Sequence, residues 1–181
     1  MRKRRDFFCA VGLHDAGYMA IGGLSNNGDA DRVEMSVEYK GDDIGLPTNI
    51  APLITPRSGH GCTVLNTPDL SVLVGGGTKG VGHGESALAG VEIWNSSANI
   101  WIEAAPMNTG RFGHAVVTIG DKIIAVGGDT KVPSNILDTM EEYDIAKNSW
   151  KISEQKLRKP RANFGFALIP HSIFNGCVIN E

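Results

Sequence analysis

Apolar residues in this chain gather into short runs, separated by glycine-bearing and polar breaks at nearly regular intervals. The stretch from Arg111 to Trp150 is the clearest. Ala115 to Ile119 form one apolar run that stops at Gly120-Asp121, and Ile123 to Val126 form a second that ends on Gly127-Gly128. A polar loop then leads to Glu142-Tyr143-Asp144, and Trp150 stands seven residues past Tyr143. Each run has strand length and each break is a turn signal. Nothing between them has the apolar period of a helix, so strands are predicted and helices are not.

The unit recurs. The pairs Gly22-Gly23, Gly75-Gly76 and Gly127-Gly128 are spaced by 53 and 52 residues, and each follows an apolar run. Arg57, Arg111 and Arg161 are separated by 54 and 50, with Arg4 lying 53 before Arg57. Three residues after these arginines come Phe7, His60, His114 and Phe164. A third-strand aromatic follows in three units (Tyr39, Trp94, Tyr143), and Trp101 and Trp150 each stand seven beyond the last two. Such a unit predicts a four-stranded antiparallel sheet. Its second strand, apolar throughout, is covered on both faces, while the more polar third and fourth strands lie nearer the rim. A sheet of this size must pack against its neighbours, and radial packing of four-stranded sheets makes a β-propeller.

Arg, His, double Gly, Tyr and Trp at this period resemble the kelch repeat, over units 4–56, 57–110 and 111–160 and a truncated unit 161–181. The fold expected is therefore all-β, an incomplete kelch-type propeller of about three blades and the start of a fourth. Unit one departs from the pattern with Phe7 where His is usual and no tryptophan, and unit two has Trp94 in the tyrosine place. Closed rings take about four to eight blades. The chain is thus expected to be a piece of a longer protein or part of an assembled ring. Its partners would include the remaining blades, and open sheet edges would make it self-associate when expressed alone.

Composition changes the picture little. Twenty-three glycines and eight prolines among 181 residues suit many tight turns. A net charge of −3 offers no electrostatic ground for binding nucleic acid or an anionic membrane, and no apolar run approaches the roughly 18 residues of a membrane span. The opening MRKRRDFFCAVGL has the outline of a secretory leader, but His14 and Asp15 cut its apolar run and it aligns with the later units. Cys9, Cys62 and Cys177 are odd in number and lack CxxC spacing. They are expected to be free, buried thiols, which points to a reducing compartment and a cytoplasmic location.

Candidate chemistry is mostly absorbed by the repeat. The glycine pairs Gly22, Gly23, Gly75, Gly76, Gly127 and Gly128 lack the GxGxxG and P-loop contexts and are expected to serve backbone geometry. Arg57, Arg111 and Arg161 are expected to be structural residues that open blades, and Trp101 and Trp150 to bury area between blades. His60 and His114, in separate blades, are expected to pack and hydrogen-bond within them, and His83 has no second ligand near it in sequence. No metal or cofactor is expected. An enzyme of the galactose-oxidase type would need converging His and Tyr ligands and a Cys–Tyr link, whereas Tyr18, Tyr39 and Tyr143 already have repeat positions. The chain is expected to be non-catalytic.

What the repeat leaves over are two loops per unit on one side of the disc. One leads into the first strand, with Ser58, Phe112 and Asn163. The other follows the glycine pair, with Asn26 and Asn27, then Lys79 and His83, then Asp129 and Lys131. Loops that differ over a constant scaffold carry function. The resemblance to kelch substrate receptors implies that these residues face a protein partner, with roles in cullin ubiquitin ligases or actin-associated scaffolds. The alternative is a fragment of a galactose-oxidase-like propeller enzyme.

Overall fold

A computed structural model describes residues 5–13, 17–25, 32–33, 37–40, 49–80, 86–130 and 133–167, and all their regular structure is β. In chain order the strands are β1 (Arg5–Asp6), β2 (Cys9–Gly12), β3 (Tyr18–Ile21), β4 (Leu24–Ser25), β5 (Arg32–Val33), β6 (Val37–Lys40) and β7 (Gly61–Leu65). They continue with β8 (Ser71–Gly75), β9 (Val91–Asn95), β10 (Ile100–Ala104), β11 (Ala115–Ile119), β12 (Lys122–Val126), β13 (Thr139–Asp144) and β14 (Ser149–Lys156).

Among the described residues they form two antiparallel four-stranded blades, β7-β8-β9-β10 and β11-β12-β13-β14, preceded by a blade with strands β2-β3-β6, and β1-β4-β5 pair in a small sheet of their own. The fold is a partial kelch-type propeller. First strands β2, β7 and β11 pack on one another from blade to blade, which sets them nearest the axis. Second strand β8 is buried along its whole length, while β10 and β14 expose most of theirs. The alternation of side chains across each strand sends alternate residues to opposite neighbours. Between blades 1 and 2 this builds a core of Val11, Met19, Ile21, Val72, Val74, Trp94 and Trp101. Between blades 2 and 3 it builds another of Leu65, Leu73, Val116, Ile123, Tyr143 and Trp150. Trp101 and Trp150 are both buried in these cores, and their Nε1–H groups donate to Ala51 O (2.8 Å) and Ala105 O (2.9 Å) in the segments leading into their own blades.

Hydrogen bonds fix the register and correct it in three places. Arg57 Nη1 donates to Gly76 O (2.7 Å) and Arg111 Nη1 to Gly127 O (2.8 Å). In blade 1 the donor to Gly22 O is Arg5 (2.9 Å), so Arg5 opens that blade and Phe8, not Phe7, stands in the histidine position. The glycine pair of blade 2 is Gly76-Gly77, with φ of 70° and 90°, matching 59° and 93° at Gly22-Gly23 and 61° and 100° at Gly127-Gly128; Gly75 is the last residue of β8. Finally, Trp94 and Tyr143 pair with Val72 and Ile123, four residues before their glycine pairs. The matching place in blade 1 faces Tyr18 and is Lys40, because Tyr39 pairs with Met19.

The cysteines are a further correction. Cys9 and Cys62 are joined in a disulfide, with Cα atoms 6.0 Å apart. Their separation of 53 residues is one repeat, so they fall on facing strands of adjacent blades; counting cysteines and looking for CxxC could not reveal that. The pairing also removes the cysteine-based argument for a reducing compartment. Cys177 lies outside the described residues.

Candidate interaction face

Two residues after each blade-opening arginine, the backbone turns through a left-handed conformation, with φ of 50° at Phe7, 61° at Gly59, 60° at Gly113 and 54° at Asn163. These four residues form one hydrogen-bonded line across the blades. Gly59 N–H donates to Phe7 O (2.8 Å), Gly113 N–H to Gly59 O (2.7 Å) and Asn163 N–H to Gly113 O (2.7 Å). A second line runs beside it, from Gly23 N–H to Arg57 O, Gly77 N–H to Arg111 O and Gly128 N–H to Arg161 O, each at 2.9 Å. Glycine is needed here for both φ and space: a Cβ on Gly76 would fall 2.3 Å from Arg111 O, and one on Gly128 2.9 Å from Phe112 O.

Just outside these lines, the loop into the first strand pairs with the loop after the glycine pair. Asp6 faces Leu24, Ser58 faces Thr78 and Phe112 faces Asp129. At these points the described parts of the two loops lie side by side at one end of the blade. Beneath them a buried ion pair anchors each of the two four-stranded blades: Arg57 Nη2 to Glu92 Oε1 and Arg111 Nη2 to Glu141 Oε1, both at 2.6 Å. Each carboxylate also accepts two backbone N–H groups from the segment leading into its blade, Ile54 and Thr55 for Glu92, and Asn108 and Thr109 for Glu141. Backbone register puts Glu38 at the corresponding position of β6.

The candidate residues divide. Lys79 and Asn163 are exposed and Phe112 is half-buried. Ser58 is buried, its Oγ 3.3 Å from Thr78 Oγ1. Asp129 is 7% exposed and holds its own loop, accepting from Ser134 Oγ (2.6 Å) and Asn135 N (2.8 Å). Asn26, Asn27, His83 and Lys131 lie outside the described residues. Arg161 is exposed, unlike Arg57 and Arg111, with its guanidinium 6.0 Å from the centre of the Phe164 ring. Sequence reasoning missed Phe7, which is 64% exposed at the end of the first hydrogen-bonded line. Its signal was a bulky aromatic at a position that holds glycine in the next two blades.

His60 and His114 lie beneath this face and pack between blades, not within them. A Cβ on Gly22 would meet His60 Cε1 at 2.7 Å, and one on Gly76 would meet His114 Cε1 at 2.6 Å. The His60 ring lies within reach of backbone groups of Ile21 and Arg57, whereas among the described residues neither ring nitrogen of His114 meets a hydrogen-bond partner. Burial, reinforced by Arg57 beside His60 and Arg111 beside His114, pushes both pKa values down to about 3. Both rings are therefore neutral packing elements. Among the described residues, no three His, Cys, Asp or Glu side chains converge in a way that could hold a metal ion.

At the opposite end of blade 3, a cleft of about 700 Å³ is lined by Asn66, Gly120, Lys122, Tyr143, Asp144 and Lys147 among others. The flank of blade 3 turned away from blade 2 carries Val117, Ile119, Ile124, Val126 and Met140, with Ile119 half exposed. Residues 161–163 hydrogen-bond alongside blade 3 through Gly128 and Gly113 and begin to enter the next blade position.

Comparison with known proteins agrees with this architecture. The family model described as Kelch motif matches residues 110–153. Kelch-like protein 34 of Homo sapiens is 31% identical over 149 residues, covering 81% of this chain and 21% of that protein. Kelch-like protein 36 of Bos taurus is 28% identical over 145 residues, covering 80% of the chain and 21% of that protein. Kelch-like protein 7 of Rattus norvegicus is 37% identical over 65 residues, covering 36% of the chain and 11% of that protein. The match thus spans between about a tenth and a fifth of the length of these relatives.

Proposed function

This chain belongs to the kelch-repeat family, and on that premise we propose that it is a non-catalytic module that binds another protein through the loops at the arginine–glycine end of its blades. The observation that carries this is the pairing of the two loops in successive blades over one repeated anchor. Ser58 with Thr78 and Phe112 with Asp129 occupy equivalent places and differ in chemistry, while the Arg–Glu pairs and glycine turns below them repeat. A fixed scaffold under varied loops is how a binding surface is adapted without refolding.

In its finer form the module recruits a substrate to a cullin ubiquitin ligase or belongs to an actin-associated scaffold. A BTB-type helical region in the full-length protein would favour the first. The opposing reading, a galactose-oxidase-like enzyme, needs a cysteine linked to tyrosine, and the pairing of Cys9 with Cys62 gives it no support. A photo-crosslinking residue placed at Lys79 tests the proposed face. It should trap a partner that the same residue at Lys122, on the far end of blade 3, does not. Equal trapping from both positions would refute the assignment of the face.

A further inference from the structure

We propose that Cys9 and Cys62 form a redox-operated clasp that fastens the first blade to the second. Register shows how specific their placement is. Cys9 pairs with Ile21, one residue before its glycine pair, and Cys62 pairs with Val74, two before its own. One blade further on, the same two positions are Gly61, opposite Gly75, and Val116, opposite Ala125. There a Cβ on Gly61 would fall 2.5 Å from Val116 Cγ2. The propeller therefore brings this pair of positions into contact at both interfaces. The second interface fills the contact with a glycine and a valine. The first fills it with two sulfurs, and the Cα separation of 6.0 Å lies within the range a disulfide spans.

The two sulfurs differ in access. Cys9 is half-buried on β2, and Cys62 is 4% exposed inside the blade 1–blade 2 core. Cys9 is thus the thiol that meets a low-molecular-weight disulfide first. Its thiolate attacks one sulfur of the oxidant RSSR, forming a mixed disulfide and releasing RS⁻. The Cys62 thiolate then attacks the Cys9 sulfur and releases the second RS⁻. Two protein thiols become one disulfide while RSSR becomes two thiols, and excess reduced thiol reverses both steps. Closing the clasp pins β2, two residues from Phe7, whose carbonyl accepts the Gly59 amide across the same interface.

Blade 2–blade 3 contacts supply an internal control, because they have equivalent hydrogen bonds and no disulfide. The full chain is equilibrated with oxidised or reduced glutathione, trapped by alkylation and digested with trypsin. Each cysteine then falls on its own peptide: residues 6–32, 58–79 and 162–181. Oxidation should yield the linked pair 6–32/58–79. Backbone amide exchange, followed on the same samples, should quicken at Gly23 and Gly59 by about tenfold or more on reduction, the range expected when a local opening is released. Gly77 and Gly113, across the second interface, should not change. The double variant Cys9→Gly, Cys62→Val transfers the second interface's pair to the first and should exchange identically under both conditions; the wild-type comparison does not depend on its folding. Free Cys9 and Cys62 in the oxidised sample, linkage through Cys177 instead, or unaltered exchange at Gly23 and Gly59 on reduction would each overturn the proposal.

Discussion

Arg111 Nη2 sits 2.6 Å from Glu141 Oε1 with neither side chain reached by solvent, and one blade earlier Arg57 stands at the same distance from Glu92. Each pair joins three pieces of one blade. The arginine comes from the loop into the first strand and donates to the first glycine of the pair; the glutamate comes from the third strand and receives the N–H groups of the lead-in segment. An isolated buried ion pair often does no more than offset its desolvation, yet removing one partner strands the other. Glu141→Ala should therefore cost about 3–5 kcal/mol, measured as a fall in the urea midpoint. A cost below about 1 kcal/mol, the value of an exposed pair, would contradict the anchoring role.

His60 and His114 make stability depend on pH. Their folded-state pKa values, about 3, lie below the ordinary 6.5. As pH falls below that ordinary value, the unfolded chain takes up a proton on each ring and the folded chain does not. Their contribution is complete above pH 6.5 and drains away as pH drops toward 3. The slope should be about 1.4 kcal/mol per pH unit for each ring, read between about pH 6 and 5, before carboxylates near pH 4 begin to titrate. Replacing both by Phe, the residue that blade 1 carries as Phe8, should flatten this slope. A variant as steep as wild type would show that the dependence arises elsewhere.

Glycine positions separate strain from collision. Gly76 and Gly120 both adopt positive φ, 70° and 63°. At Gly76 a Cβ would strike Arg111 O at 2.3 Å, whereas at Gly120 it would meet nothing within 4 Å. Gly120→Ala should cost about 1–2 kcal/mol, the conformational term alone. Gly76→Ala adds overpacking of about 1–3 kcal/mol and loosens the joint between blades 2 and 3. Equal losses in denaturant titrations would mean that the close approach at Gly76 is not needed.

Much of this was legible in the chain. The period could be read from glycines, arginines and tryptophans, because each serves a geometry that every blade must repeat. Phase was harder. Gly75 to Gly77 offers two possible pairs and Arg4-Arg5 two possible openers, and only the hydrogen bonds to Gly76 O and Gly22 O choose between them. Nothing in the sequence marks Glu92 and Glu141 as buried, since a glutamate in a strand is ordinarily on the surface, though both stand two residues before the third-strand aromatic. Neither Asn99 nor Asn148 stands out in the sequence. In fact each side-chain oxygen accepts from the aromatic of its own blade and from the lead-in backbone, Trp94 and Ala51 for Asn99, and Tyr143 and Ala105 for Asn148. Dissimilarity between copies points to the loops but cannot separate exposed Lys79 from Asp129, whose carboxylate accepts hydrogen bonds from its own loop.

On the proposed function, binding resides in the varied loops and stability in the repeated scaffold beneath them. Partner capture and denaturant unfolding, measured side by side on Lys79→Glu and Phe112→Ala, test it most directly. Lys79→Glu should lose the captured partner while its stability stays within about 0.5 kcal/mol of wild type, as for surface changes generally. Phe112→Ala should lose the partner to a greater degree than its change in stability explains. Unchanged capture by both variants, or loss of capture that only follows loss of fold, would contradict it.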